Sequence, residues 1–504
     1  MGTQRVLVIG AGAGGLAAAV LLAARGVDVL VLEAAATPGG KLREVQVAGQ
    51  PQDAGPTVFT MRWVLEQLFA DAGASLQELL PMQPVDTLAR HAWEDGSRLD
   101  LFADLQRSEE AIAALAGPQE AQRYRAFSAR ARGIYQLLEQ SFMCRPRPNP
   151  VSLAHRVGWR RLPELAAISP FRTLWAALGE CFQDPRLRQL FGRYATYCGS
   201  SPFQAPATLM LVAHAEQAGV WTVDGGMHRI ATTLAALLER LGGRIRYASP
   251  VTRLQLRGDQ VCGATLADGE TLDCAAAIFN GDTAALAQGL LGDAAARAVP
   301  PTAIDARSLS ALTWNLVTPA AGFPLARHTV FFSRDYAAEF DSIQRDGLLP
   351  GDPTVYLCAH DRDGSGQRTQ TGAERLMCLV NAPARADRQP LSPGDIAACQ
   401  ERMFAKLARC GLRLYADPES TVLTTPAEFQ RLFPATGGAL YGRASHGWRA
   451  SFSRPGARSA VRGLYLAGGS VHPGPGVPMA MLSGRIAAGS LVQDMERGRL
   501  RGRP

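Results

Sequence analysis

Gly10, Gly12 and Gly15 are spaced two and three residues apart, and a carboxylate, Glu33, follows 18 residues after the last of them. In a G-x-G-x-x-G pattern the first glycine permits a tight turn, the second lets backbone approach a pyrophosphate, and the third lets helix and strand pack closely. A carboxylate at that distance accepts hydrogen bonds from adenosine ribose hydroxyls and disfavours a 2′-phosphate, so NADP is a poor fit. The elements that must position these residues can be read around them. Gln4 to Ile9 reads as a buried parallel strand and Gly15 to Arg25 as a helix whose N-terminus offers its dipole to phosphate. Val27 to Leu32 reads as a second strand ending at Glu33. The order β, tight turn, α, β predicts a dinucleotide-binding unit.

The whole chain has 504 residues and 47% apolar content, enough for large cores and about three domains' worth of length. That excludes disordered, collagen-like and disulfide-scaffold chains. Nine cysteines form no C-x-x-C pair, as in a reduced cytoplasmic protein, and no metal site is expected. The net charge of +7 comes from 52 basic residues of which only Lys41 and Lys406 are lysine, and no nucleic-acid recognition motif accompanies it. Val6 to Ala24 is uncharged over nearly a membrane span, but its central G-A-G-A-G-G marks a strand, turn and helix instead. With no transmembrane segment, any membrane contact must be peripheral. There is no H-E-x-x-H, G-x-S-x-G or P-loop, and Gly364-Ser365-Gly366 lacks the context of a second nucleotide site.

Two further glycine turns follow Glu33: Pro38-Gly39-Gly40-Lys41 and Asp53-Ala54-Gly55-Pro56-Thr57. Together with Leu464 to Ala488, which carries His472-Pro-Gly-Pro-Gly-Val-Pro478 and Ser483-Gly484-Arg485, they resemble the phytoene desaturase (carotenoid/retinoid oxidoreductase) family within the flavin amine oxidase superfamily. The resemblance runs over essentially the whole chain. It implies an α/β fold with a Rossmann-like FAD-binding domain and an interleaved α+β substrate domain, the flavin amine oxidase/GDI-like architecture. It assigns residues 1–80, 216–285 and 441–504 to FAD binding, and 81–215 and 286–440 to substrate and membrane. The cofactor-binding residues it implies are Gly10, Gly12, Gly15, Glu33, Gly40, Lys41, Val251, Gly468, Val477, Pro478 and Met479. Backbone at Val251 is expected on adenine, and amides near Val477 to Met479 on the flavin pyrimidine. His472 is the one weak catalytic candidate, against a packing role in its loop.

Asp53 to Arg62, Leu88 to Ser97 and Leu99 to Phe102 are similar to the hydroxyneurosporene (methoxyneurosporene) desaturases of phototrophic bacteria. That similarity implies 3,4-desaturation of an acyclic 1-hydroxy- or 1-methoxy-carotenoid in spheroidene or spirilloxanthin synthesis, with oxygen, a quinone or another acceptor taking the electrons. A phytoene or neurosporene desaturase and a carotenoid isomerase are the nearest alternatives. A flavin amine oxidase and a non-enzymatic GDI-like prenyl-binding protein are more distant ones. His91 and Tyr197 are candidate donors to a substrate hydroxyl, unranked. Residues 141–175 hold six arginines against Glu164 alone, interleaved with Phe142, Trp159, Phe171 and Trp175, the composition of an interfacial anchor on anionic lipid. The tail from Arg497 to Arg503 is basic as well.

Overall fold

The computed structural model describes residues 5–169 and 171–500. The predicted strand start at Gln4, Pro170 within the arginine-rich segment and the last residues of the basic tail lie outside them. Five strands form one parallel sheet in the order Arg244–Arg246, Val29–Leu32, Val6–Ile9, Ala276–Phe279, Leu464–Leu466. Apart from the edge strand Arg244–Arg246, every residue of these strands is buried. Near-continuous Val, Leu, Ile and Ala suit a sheet covered on both faces. Arg244–Arg246 belongs to this sheet and not to the alternating strands after it, and its arginines bond outward to Asp28 and Glu270. The fold is thus α/β, and the sheet draws together the beginning, middle and end of the chain.

The helix Ala13–Ala23 packs against Val477–Glu496 and His228–Arg240. At Gly484 a Cβ would stand 2.1 Å from the carbonyl oxygen of Gly14, so the first and last helices cross at a point where only hydrogen fits. The three-stranded antiparallel sheet Val251–Arg257, Gln260–Leu266, Thr271–Asp273 turns at Asp268 and Gly269, where glycine takes a φ of 89°.

A separate seven-stranded sheet runs in the order Thr421–Thr424, Ser310–Thr318, Glu374–Ala382, Val355–Ala359, His328–Phe331, Thr87–Ala92, Arg98–Phe102. All its pairings are antiparallel except the one between His328–Phe331 and Thr87–Ala92. The short helices Pro150–Val157 and Leu162–Ala167 and the turns beside them carry large apolar side chains at the surface, with Val151 79% exposed and Trp159 and Phe171, in the turns, each 77% exposed. Among the described residues no helix is long and apolar enough to cross a membrane.

Candidate active site

The three predicted glycines line the rim of the parallel sheet where the first strand turns into the first helix. Gly10 has φ of 100°, a conformation that a Cβ disfavours. A Cβ on Gly15 would lie 2.2 Å from the Gly10 carbonyl oxygen, and one on Gly12 would meet Asn280 Nδ2 at 2.7 Å. The Gly39 amide donates to the Ala11 carbonyl at 2.8 Å, which lays the second glycine turn over the first. Gly40, with φ of 59°, faces Gly12 at the edge of the resulting crevice. Gly55 closes the third turn onto Lys41, whose carbonyl oxygen would be 1.9 Å from a Cβ there.

Glu33 is buried at the end of its strand and borders the crevice. Its carboxylate accepts the amides of Ala11 at 2.6 Å and Ala35 at 2.8 Å, one on each oxygen. Each oxygen retains a lone pair for a ligand hydroxyl. The backbone of Glu33 bonds to Ser249, which brings Pro250 and Val251 to the same end of the cavity. Asp53 does a different job from its neighbours. Its carboxylate accepts the amides of Met227 at 2.7 Å and His228 at 3.0 Å, capping the start of His228–Arg240.

The chain's end supplies the opposite wall. Gly468, with φ of 111°, donates its amide to Ser483 Oγ at 3.2 Å. The helix Val477–Glu496 then begins after Gly476. Pro478 has no N–H, so the Val477 and Met479 amides are the donors at this helix start, and neither has a protein acceptor among the described residues. Lys41 is half-buried, donates from Nζ to the Leu440 carbonyl at 2.6 Å and lies over the Phe433 ring, and desolvation of its ammonium lowers its pKa. Arg454, also buried, donates to the carbonyls of Tyr441 at 3.0 Å and Gly469 at 3.1 Å and ties down the loop before the helix.

These walls enclose one continuous cavity of about 1100 Å³, above the roughly 300–1,000 Å³ of an ordinary small-molecule site. Gly10, Gly12, Glu33, Gly40, Lys41, Val251, Gly468, Val477, Pro478 and Met479 all border it, and Gly15 stands just behind them. The remainder of its lining is mostly apolar. It reaches past Met61, Leu209 and Val212 to Leu162, Phe171 and Trp448, whose exposed faces mark a mouth. The seven-stranded sheet contributes Thr313, Tyr356, Met377, Leu379 and Asn381.

Three histidine and tyrosine expectations now separate. His472 does not border the cavity. Its Nε2 lies 3.0 Å from the Phe142 carbonyl and 2.9 Å from that of Arg145, its ring packs edge-on to Phe142, and burial pushes its pKa down to about 4. It is a neutral ring that ties two segments together, so the catalytic candidacy is replaced by the packing role. His91 is sealed in the seven-stranded sheet, with Nδ1 3.2 Å from the Leu99 carbonyl, and does not border the cavity either. Tyr197 does, but its hydroxyl donates to Glu216 at 2.8 Å. The arginine-rich segment is less cationic than its composition suggests, because Arg161 pairs with Glu164 and Arg172 with Glu180.

Sequence reasoning missed four residues at the cavity. Arg193 stacks between Tyr197 and Tyr356, and Thr57 Oγ1 lies 2.6 Å from the Tyr356 hydroxyl. Asn280 sits at the base of the glycine turns with Oδ1 buried and unpartnered. Asn280 directly follows the strand Ala276–Phe279, and its position after that strand in the parallel sheet is what brings it to the crevice. Nothing in the sequence points to Tyr356 or Arg193, which come together only through sheet packing.

Comparison with known proteins places this geometry. The flavin containing amine oxidoreductase pattern matches residues 13–492. A hydroxyneurosporene desaturase of Rubrivivax gelatinosus is 53% identical over 98% of this chain and 94% of its own length. A 1-hydroxycarotenoid 3,4-desaturase of a Flavobacterium species is 29% identical over 96% and 98%. Among solved structures, wild-type putrescine oxidase bound to putrescine superposes with a TM-score of 0.61 at 15% identity, covering 98% of this chain and 99% of that one.

Proposed function

The chain belongs to the flavin-containing amine oxidoreductase family, and we propose that it is a carotenoid desaturase that introduces the 3,4 double bond into an acyclic 1-hydroxy- or 1-methoxy-carotenoid. The observation that carries the reading is the single cavity running from the glycine crevice to an apolar mouth. A hydrocarbon polyene offers no charge to grip, and apolar lining at roughly 25 cal/mol per Å² is the physical means of holding it. The names of the relatives supply the substrate class.

The donor set fits FAD. The crevice has no room for a Cβ where a pyrophosphate would pass, Glu33 keeps lone pairs for ribose hydroxyls, and the Val477 and Met479 amides are free for the flavin pyrimidine. Gly10, Gly12, Gly15 and Gly40 would line the phosphates, Val251 the adenine and Gly468 the flavin side, with Lys41 holding the loop at Leu440. Bound there, FAD supplies a two-electron acceptor for hydride. Residues 1–80, 216–285 and 441–504 form the FAD-binding part in this reading, and 81–215 with 286–440 the substrate part.

The protein's own work is positioning and exclusion of water. The cavity walls at Met61, Leu209, Met377 and Leu379 hold the chain of the substrate in a dry channel. Loss of hydride leaves a cation that the adjoining conjugated polyene delocalises, so the neighbouring C–H proton leaves without a strong base. Oxygen, a quinone or another acceptor would take up the two electrons. Substrate arrives from a bilayer through the mouth, where Trp159, Phe171 and Arg160 meet the lipid surface as a peripheral anchor. A Trp159→Ser, Phe171→Ser double variant is expected to lose at least about tenfold in sedimentation with anionic liposomes; unchanged sedimentation removes the anchor.

The central test reconstitutes purified protein with FAD and incubates it in liposomes with 1-hydroxyneurosporene, its methyl ether and phytoene. One added conjugated double bond in the first two is expected. Conversion of phytoene with 1-hydroxyneurosporene left intact replaces the proposal with a phytoene desaturase.

A further inference from the structure

The cavity is lined by apolar side chains over most of its extent, but on the side of the seven-stranded sheet it meets a built polar cluster. The Arg193 guanidinium lies deep in the protein, and the residue is only half-buried because it borders the cavity. Its Cζ sits 5.5 Å from the centroid of the Tyr197 ring and 5.1 Å from that of Tyr356. Two ring faces therefore hold it from either side, an arrangement that suits a planar guanidinium. Among the described residues no carboxylate or carbonyl is bonded to it; the Tyr197 hydroxyl lies within hydrogen-bond reach, and Glu216 stands behind that tyrosine.

The hydroxyls around it are already engaged. Tyr197 and Tyr194 both donate to the buried Glu216. Tyr356 lies between Thr57 Oγ1 at 2.6 Å and His328 Nδ1 at 2.8 Å. Apart from the N–H group toward the Tyr197 hydroxyl, the donors of Arg193 are consequently the hydrogen-bonding capacity left for a ligand. The guanidinium N–H groups that face the apolar cavity have no protein acceptor among the described residues, and an arriving oxygen acceptor supplies one.

The cluster also lies beside the wall made by the chain's end. Gly199, two turns of 3-10 helix on from Arg193, packs so closely that a Cβ would stand 2.4 Å from Tyr441 Cδ2. Tyr441 is in turn joined through Arg454 to Gly469, next to the loop and helix start proposed to face the flavin. The substrate's chemistry matches that position, since an oxygen on C1 is only two carbons from C3. An acceptor bound at Arg193 sets the 3,4 bond close to the same wall.

Resting on the desaturase reading, we propose that Arg193 donates a hydrogen bond to the terminal oxygen of the carotenoid and is the residue that selects oxygenated ends. A donor, unlike a carboxylate, recognises a hydroxyl and a methyl ether equally, because both offer lone pairs. A plain hydrocarbon end leaves the guanidinium unpaired, the kind of mismatch that a polar site rejects most strongly.

The test compares wild type, Arg193→Met and Arg193→Gln, each loaded with FAD, on 1-hydroxyneurosporene, 1-methoxyneurosporene and neurosporene. Relative kcat/KM and the Kd of each carotenoid by tryptophan quenching are both read. Wild type is expected to favour the two oxygenated substrates by at least about tenfold, as for a hydrogen bond to a charged group. Arg193→Met brings that ratio near unity while neurosporene is handled as before, and Arg193→Gln keeps part of it. A ratio unchanged in Arg193→Met, or an equal fall on all three substrates, overturns the assignment. If Arg193→Met does not retain FAD, the ratio in Arg193→Gln decides by the same criterion. A wild type that binds oxygenated carotenoids selectively but converts none sinks the desaturase reading and supports Arg193 as the selector.

Discussion

The glycine crevice and the wall of the seven-stranded sheet border the same cavity, yet they are built by opposite means. The crevice is made of backbone, and its shape depends on atoms that are missing: a Cβ at Gly12, Gly14, Gly15 or Gly39 would stand within 2.7 Å of another atom. The sheet wall is made of side chains, with Arg193, Tyr356, Thr57 and His328 held by stacking and hydrogen bonds across long sequence separations. A surface defined by absent atoms tolerates almost no substitution, whereas one defined by present atoms can be retuned. The difference separates cofactor retention, which should be all or none, from substrate choice, which should be graded.

The sharpest way to break this contrast is Gly15→Ala. Its Cβ would meet backbone that cannot move aside, so loss of FAD and at least about 3 kcal/mol of stability are expected, read as flavin content and thermal denaturation. A variant that keeps its flavin would show the crevice to be as adaptable as the sheet.

Acid should act on the other region first. His91 and His360 have pKa values pushed down to about 3, and that of His328 lies well below its usual value, in each case chiefly through burial. All three lie in or beside the seven-stranded sheet, and the parallel sheet contains no histidine. The unfolded chain takes up these protons near pH 6.5 and the folded chain does not, so stability falls as pH drops below that value. Each histidine contributes a slope of up to about 1.4 kcal/mol per pH unit. Glu339, whose pKa burial raises to about 7, opposes them with a single proton between its unfolded value and that pH. Hydrogen exchange at pH 5 against pH 7.5 should therefore accelerate in the seven-stranded sheet before the parallel one. Uniform acceleration would erase the distinction.

Glu33→Gln is a smaller change within the crevice. It preserves shape and removes charge, so FAD affinity should weaken by about 1 to 3 kcal/mol without unfolding, measured by titration of the apoprotein. Unaltered affinity would detach Glu33 from the ribose. Gly133→Ala sets the bottom of the scale. This glycine lies exposed within Pro118–Leu138 with nothing near the site of a Cβ, and replacing it should stabilise the protein by about 0.5 to 1 kcal/mol in a denaturant melt.

The same contrast explains what could be read from the sequence. The first strand, the glycine turns, Glu33 and the helix after Val477 were legible because each is local: strand, turn and helix within about thirty residues constrain residue type directly. The pairing of Arg244–Arg246 with Val29–Leu32 spans more than 200 residues, and nothing in the local order of that polar edge strand names its partner. For His472 the sequence offered a weak catalytic candidacy beside a packing role, and only the carbonyls of Phe142 and Arg145 decide for packing. Arg193 was one arginine among fifty. Its isolation from any carboxylate is a property of packing and leaves no trace in local order.

The strand Leu464–Leu466 and the helix Val477–Glu496 complete a crevice that the first 33 residues begin. More than 400 residues separate the two in the order of synthesis, so the glycine turns emerge long before the wall opposite them exists. A chain cut anywhere between residues 33 and 464 would lack that wall and leave the crevice open on one side.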